Sequence, residues 1–379
     1  MRRETDNNVK ITAKGAGAAD SLRRMSEDFA RVTAVEKIAE GRYEGCIDEG
    51  WDIGGVPNGG YVLAIAARAM AESVGRPPLS VTAHYLATTR PGPCSVVVEP
   101  VRVGRRMATL TAMLGQEGRE SLRVLGTFGG SSGADPLLVD GMPPDLPPYA
   151  DCVAAPAPQP AGTAGQNRDG SPAQTAEGAG RNQADSPVAA GEATGSGQAD
   201  TQIEVGGAAG RSQAGAPVQA GEEAGRSRKL VPAGMSAWPA IFDRLAIRWR
   251  PGDAAFMHGR PTGRAEVAGW FAFPDGAPID AIGLLLVADA FAPPVFNIGL
   301  GPGWVPTLEL TVHIRAVPAP GPLRCVFRTR YVQGGLLSED GEMWDEAGVL
   351  VAQSRQLALT PRMSSGRAPA GTTPWLGWM

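Results

Sequence analysis

The chain has 379 residues and a formal net charge of −4, and its 51 Gly and 33 Pro are nearly twice the usual share of these residue types. A chain of this length is expected to form at least two domains. The weakly acidic charge excludes a broad basic surface for nucleic acid, and no apolar run approaches the ~20 residues that span a bilayer. The polar N-terminal residues lack a secretory signal pattern and the four cysteines lack metal-ligand spacing, so we expect a cytoplasmic protein with neither metal nor cofactor.

The first block of ordered sequence contains one apolar helix followed by alternating strands. A strand region at residues 35–46 precedes a helix at 57–73, which has a glycine-rich entry and an Ala-rich body. Apolar and polar residues then alternate in four predicted strands, at 81–87, 95–102, 108–116 and 121–128. A helix followed by an antiparallel meander is typical of the α+β class.

A low-complexity segment follows this block. Between Ala154 and Lys229 there is no aromatic residue, and glycines recur at 15-residue intervals from Gly165 to Gly225. Such a segment buries too little apolar area to offset its ordering entropy, so we expect a disordered linker. The predicted organisation is an N-terminal extension (1–27), an N-terminal domain (28–130), the linker (131–234), a C-terminal domain (235–362) and a tail (363–379).

The second block repeats the order of elements in the first. Strands are predicted at 245–250 and 264–273, a helix at 279–290, and four more strands at 308–316, 323–332, 336–345 and 350–359. Shifting the chain by 229 positions aligns LSVTAHYLATTRPGPCSVVV, from Leu79, with LELTVHIRAVPAPGPLRCVF, from Leu308, with eight identities in 20 positions. The folded part is therefore predicted to be a duplicated domain.

Several motifs resemble those of the acyl-CoA thioesterase II-like, double-hotdog family. They are GWDIGGVPNGGYVLAIAARA, TRPGP, LLLVADAFAPP, WVPTLELTVHIR and EDGEMWDEAGVLVAQSRQLAL. The resemblance covers both blocks and implies a tandem hotdog, with two antiparallel sheets each wrapped round a central helix. It also implies that the chain hydrolyses acyl-CoA.

The resemblance further implies a catalytic set in the second block, formed by Asp289, Thr307 and Gln356, which hold and activate a water. Alternation along the last strand sends Gln353 to the face opposite Gln356, so only one of the two faces inward. Asp289 lies among apolar helix residues, and burial should raise its pKa toward useful basicity. The alternative is that Asp289 only caps the end of a helix.

The first block lacks this set, because Asp289 falls on Gly60 at the 229-residue offset. It offers instead Asn58, Gly59 and Gly60 at a helix start, where backbone N–H groups could bind a thioester carbonyl or a phosphate of CoA. The alternative is that the glycines only permit a tight entry into the helix.

Two other functions remain open. One is an acyl-CoA-binding or scaffold protein without turnover, and the other is a hotdog enoyl-CoA hydratase or dehydratase. The second needs a histidine beside the helix carboxylate, but none follows Asp289 before His313. The expected partners are an acyl-CoA substrate and, through the hotdog sheets, further copies of the chain, with no nucleic acid and no membrane.

Overall fold

The described part of the chain is built mainly of antiparallel strands. The structure is a computed structural model that describes residues 29–130, 136–154, 239–300 and 303–361. The predicted N-terminal extension, most of the predicted linker and the predicted tail lie outside these residues. In the first half the elements are β1 (Val35–Ala39), β2 (Arg42–Ile47), β3 (Asp52–Ile53), β4 (Val56–Pro57), α1 (Gly59–Val74), β5 (Pro78–Tyr85), β6 (Gly92–Val103), β7 (Met107–Gln116) and β8 (Arg119–Gly129). The remaining elements are β9 (Val153–Ala154), β10 (Arg248–Trp249), β11 (Glu266–Phe271), α2 (Gly283–Val287), β12 (Thr307–Ile314), β13 (Leu323–Gln333), β14 (Leu336–Trp344) and β15 (Leu350–Leu359).

One 13-stranded sheet runs through both halves, in the order β1-β2-β6-β7-β8-β5-β12-β15-β14-β13-β11-β10-β9. The sequence predicted two separate sheets, but β5 pairs antiparallel with β12 and joins them. These two strands carry the most similar part of the internal repeat. In the pairing Thr82 lies opposite its counterpart Thr311, and their hydroxyl oxygens are 2.9 Å apart. The duplicated strands thus pair with each other instead of leaving two open edges.

Helix α1 packs its apolar surface against the sheet of the first half. Its N-cap is Asn58, whose Oδ1 accepts a hydrogen bond from the Tyr61 N–H at 2.9 Å. Its C-cap is Gly75, in the left-handed conformation that glycine adopts without strain. Half of its residues are Gly, Ala or Ser, and ten of its residues are buried. The predicted helix 57–73 is confirmed with a shift of one or two residues.

Helix α2 is much shorter than the predicted helix at 279–290. It begins at Gly283, whose N–H donates to Oδ1 of Asp280 at 2.6 Å, and it ends at Val287. The Asp289 N–H then bonds to the Leu286 carbonyl, three residues back, so the chain tightens into a 3₁₀-type turn. This turn presents Asp289 to the start of α1.

Two further boundaries differ from the prediction. The strand region 35–46 is a hairpin of β1 and β2, because Gly41 turns the chain with a φ of +64°. Residues 149–154, assigned from sequence to the linker, form a 3₁₀ turn and β9. Strand β9 pairs with β10 through Ala154 opposite Arg248 and Val153 opposite Trp249. A strand of two residues is too short to show the apolar–polar alternation from which strands are predicted.

Because β5 and β12 each pair with what would otherwise be an open sheet edge of the other half, we expect neither half to fold alone. Residues 29–130 expressed without the rest of the chain expose the β5 edge and lose the groups that bind the start of α1. This fragment should aggregate in size-exclusion chromatography, and co-expression with the remainder of the chain should recover a soluble complex. A monomeric fragment with a cooperative melting transition would contradict this expectation.

Candidate active site

Asn58 links the start of α1 to the end of α2. It is buried, and its backbone N–H donates to the Trp51 carbonyl at 2.8 Å. Its side-chain Nδ2 donates to Oδ2 of Asp289 at 3.0 Å and to the Asp289 carbonyl oxygen at 2.7 Å. One side chain therefore caps α1 and fixes both the backbone and the carboxylate of Asp289.

Gly59 and Gly60 allow this close approach because neither position has room for a side chain. A Cβ on Gly60 would lie 2.7 Å from the Leu285 carbonyl oxygen, and one on Gly59 would lie 2.9 Å from Oδ2 of Asp289. The Gly60 N–H donates to the same Oδ2 at 2.9 Å. This donor, expected from sequence to be free for a substrate, is bound to Asp289 instead.

Asp289 is half-buried among apolar residues of α2, and its pKa reflects two opposing effects. Desolvation by burial is the larger effect and raises the pKa to about 6. The N–H groups of Gly60 and Gly59 and the Asn58 amide oppose this rise, because they stabilise the carboxylate form. The carboxyl group is thus ionised at neutral pH but more basic than an exposed aspartate.

Thr307 and Gln356 form a second contact, at the start of β12 and near the end of β15. The Gln356 Nε2 donates to Thr307 Oγ1 at 2.6 Å, and Gln356 is buried. Gln353 faces the other way and accepts from Arg315. Strict alternation along β12 would place Thr307 on the same face as Glu309, but a bulge between them in the pairing with β15 shifts the register. The bulge allows Thr307 to meet Gln356.

A buried carboxyl group, Glu339, lies next to the second of these contacts. Glu339 is directly opposite Gln356 in the pairing of β14 with β15, and only 8% of its surface is exposed. Burial raises its pKa to about 8, with a further contribution from the negative charge of Asp289 and then of Asp340. No hydrogen bond joins Asp289 to Thr307 or Gln356 among the described residues; Glu339 is a cross-strand neighbour of Gln356 and also responds to the charge of Asp289.

Tyr85, at the end of β5, also lies beside Asp289. Its ring packs against Gly59, where an added Cβ would be 3.0 Å from Cε1. Its buried hydroxyl has no hydrogen-bond partner within the described ranges. Burial raises the pKa of this phenol well above its usual value, and the charges of Asp289 and Glu309 add to the effect.

Neither Glu339 nor Tyr85 was assigned a role from the sequence, although the pattern contained a signal for each. On β14 the inward positions are Leu337, Glu339, Gly341 and Met343, so a carboxylate occupies a core position of an alternating strand. Tyr85 continues the inward series of Val81 and Ala83 on β5. A charged residue at a position that alternation predicts to be buried is unusual and is a useful sign of a functional site.

Other features of the described residues bear on the kind of site. None of their His, Cys, Asp and Glu side chains form a group of three or more that could hold a metal ion. Within the same residues, no helix is long and apolar enough to cross a membrane. His84 and His313 are exposed on β5 and β12, at positions that alternate with the buried residues Ala83 and Val312.

Several known proteins have a similar fold or a similar sequence. A structure from Thermobifida fusca assigned as thioesterase II aligns with a TM-score of 0.62 and 23% identity, covering 88% of this chain and 97% of that one. A protein with a hot dog fold from Alicyclobacillus acidocaldarius also gives a TM-score of 0.62, at 19% identity, covering 89% of this chain and 98% of that one. The chain is 26% identical to the uncharacterized protein Rv0499 of Mycobacterium tuberculosis H37Rv, over 84% of this chain and 91% of the relative. The architecture is thus an α+β hotdog.

Two family models match the two halves separately. Residues 47–129 match the acyl-CoA thioesterase N-terminal domain, and residues 216–360 match the acyl-CoA thioesterase C-terminal domain. Together the two models cover more than half of the chain. The protein belongs to the acyl-CoA thioesterase family and is a thioester hydrolase.

The raised pKa values of Asp289 and Glu339 predict that stability falls as pH rises. Each carboxyl binds its proton more tightly in the folded state, so its contribution is complete below pH 4 and is lost as pH rises toward the folded pKa, about 6 or about 8. Ionisation of Glu339 lowers the free energy of unfolding more than ionisation of Asp289 does, by on the order of a few kcal/mol at pH 8, and Glu339→Gln removes this loss. The variant should melt close to wild type at pH 5 and clearly above it at pH 8.

The matched control is Glu342→Gln, the same substitution on the same strand but at an outward position. Its difference in melting temperature from wild type should not change between pH 5 and pH 8. A Glu339→Gln variant whose difference from wild type is equally independent of pH would show that Glu339 does not titrate in this range.

Proposed function

We propose that this protein hydrolyses an acyl-CoA thioester to the free acid and CoA, with Asp289 as the general base that activates a water. We further propose that each half of the chain corresponds to one hotdog unit and that the site lies where the two units meet. The observation that carries the proposal is the position of Asp289, a half-buried carboxylate of one half held by the N-terminus of α1 from the other.

The environment of Asp289 suits a base for this reaction. Thioester hydrolysis requires a group that takes a proton from water as the water attacks the carbonyl carbon. A base with a pKa of about 6 is ionised at neutral pH, yet is a stronger proton acceptor than an exposed aspartate. Asn58 and Gly60 both bind Oδ2, which fixes the orientation of the carboxylate and leaves Oδ1 as the oxygen that we expect to accept the proton.

Thr307 and Gln356 are suited to position the water. Because the Thr307 oxygen accepts the hydrogen bond from Gln356, its own hydroxyl proton is available to a ligand. Gln356 keeps its second N–H and its amide oxygen. Both side chains start from paired strands, which hold them more rigidly than loops would. We therefore propose that these two side chains orient the attacking water.

Asn58, Gly59 and Gly60 have a positioning role in this proposal. The Asn58 amide and the Gly60 N–H are engaged with Asp289, so they act on the substrate through that carboxylate. The partial positive charge at the N-terminus of α1 stabilises the ionised form of Asp289. It keeps the pKa of this buried group below the neutral range.

The mechanism predicts a graded loss of activity. Asp289→Asn keeps the shape of the side chain but removes its basicity, so turnover should fall by about 10²–10⁴. Thr307→Ala and Gln356→Ala should cost less, because these residues orient the water and do not accept its proton. Release of free thiol from a panel of short, long and aromatic acyl-CoAs measures the effect and identifies the preferred acyl group.

The control is Asp280→Asn, which makes the same change at the other end of α2. Asp280 is exposed and Asn also caps helices well, so activity should stay near wild type. Wild-type turnover by Asp289→Asn would remove Asp289 from the mechanism. A wild-type protein that binds acyl-CoA but releases no thiol would favour a binding protein, and one that hydrates enoyl-CoA would favour a hydratase.

A further inference from the structure

Glu339 occupies a position that packing alone does not explain. It projects from β14 between the inward residues Leu337 and Gly341, and its neighbours on the flanking strands are Thr329 on β13 and Gln356 on β15. A hydrophobic side chain would extend the core at this point. Burying a carboxyl group here costs stability, which natural sequences accept mostly where the group has a function.

The carboxyl group of Glu339 makes no hydrogen bond within the described part of the chain. The Oγ1 of Thr329, opposite it on β13, is also buried without a hydrogen-bond partner there. The charged groups that act on Glu339 are Asp289, after α2, and Asp340, on its own strand. No cation pairs with Glu339, so nothing in these residues holds it as a carboxylate.

We propose that Glu339 is the general acid that protonates the departing thiolate of CoA. This inference rests on the proposed hydrolysis and adds a second proton transfer, from Glu339 to the sulfur of the leaving group. Glu339 lies opposite Gln356, which orients the water, and it responds to the charge of Asp289, which activates the water. It therefore faces the same reacting thioester from the β14 side.

Asp289 takes one proton from the attacking water, whose oxygen forms the new bond to the carbonyl carbon. The carbon–sulfur bond of the tetrahedral intermediate then breaks, and the Glu339 carboxyl gives its proton to the sulfur, so that CoA leaves as a thiol. The proton on Asp289 passes to the Glu339 carboxylate, directly or through a water, and both groups return to their starting states. No other reactant is needed.

The protonation states agree with these roles. A pKa of about 8 keeps Glu339 protonated at neutral pH, whereas a pKa of about 6 keeps Asp289 ionised. Two neighbouring carboxyl groups with separated pKa values are the usual arrangement for an acid and a base in one site. Burial raises both pKa values, and the charge of Asp289 adds to the rise at Glu339, which widens the separation.

The test uses the full chain and two substrates with the same acyl group. One is the acyl-CoA, whose alkyl thiol is a poor leaving group, and the other is the S-phenyl thioester, whose more acidic thiol leaves without protonation. Glu339→Gln should lower kcat for the acyl-CoA by about 10²–10⁴ and should change kcat for the phenyl thioester much less. The kcat/KM profile should also lose its decline at alkaline pH.

The control is Glu342→Gln, which should match wild type on both substrates, and melting temperatures establish that each variant is folded. A Glu339→Gln variant that loses equal activity on the two thioesters, or loses none, overturns the acid role while leaving the hydrolysis intact. A wild-type protein that releases thiol from neither thioester overturns the proposed function and this inference with it.

Discussion

The bond between the Asp289 carboxylate and the start of α1 is the constraint on which the rest of the structure depends. It joins residues more than 200 positions apart, through Asn58 and the Gly60 N–H. It requires two adjacent glycines and a helix that ends just before Asp289. It also requires the pairing of β5 with β12, which holds the two halves in register. The contact of Asn58 and Gly60 with Asp289 therefore forms only when both halves of the chain are present.

Burial of two carboxyl groups has a structural cost that the surrounding fold must offset. Asp289 receives N–H donors from α1, but Glu339 receives none among the described residues. The charge of Asp289 also raises the free energy of the charged form of Glu339. Within the described residues, one large hydrophobic cluster includes both helices and the inner faces of both halves of the sheet. We infer that this shared core stabilises the folded state enough to tolerate the burial of both carboxyl groups.

The sequence predicted much of this arrangement, and the exceptions have physical causes. Alternation and the internal repeat located most strands, and the resemblance singled out Asp289 and Gln356. The pairing of β5 with β12 could not be predicted, because local patterns do not specify which strand edges meet. The same is true of the bulge that turns Thr307 toward Gln356, since a bulge leaves no mark on apolar alternation. Glu339 was overlooked although its inward position on β14 could have been read from the pattern.

The central claim is that Asp289 activates water and does not itself attack the thioester. A single turnover of acyl-CoA by excess enzyme in water labelled with oxygen-18 distinguishes the two pathways. If Asp289 is a base, the acid formed in that first turnover carries the label and the peptide containing Asp289 does not. An unlabelled acid, with the label recovered in that peptide, would show that Asp289 forms a covalent acyl-enzyme and would contradict the account.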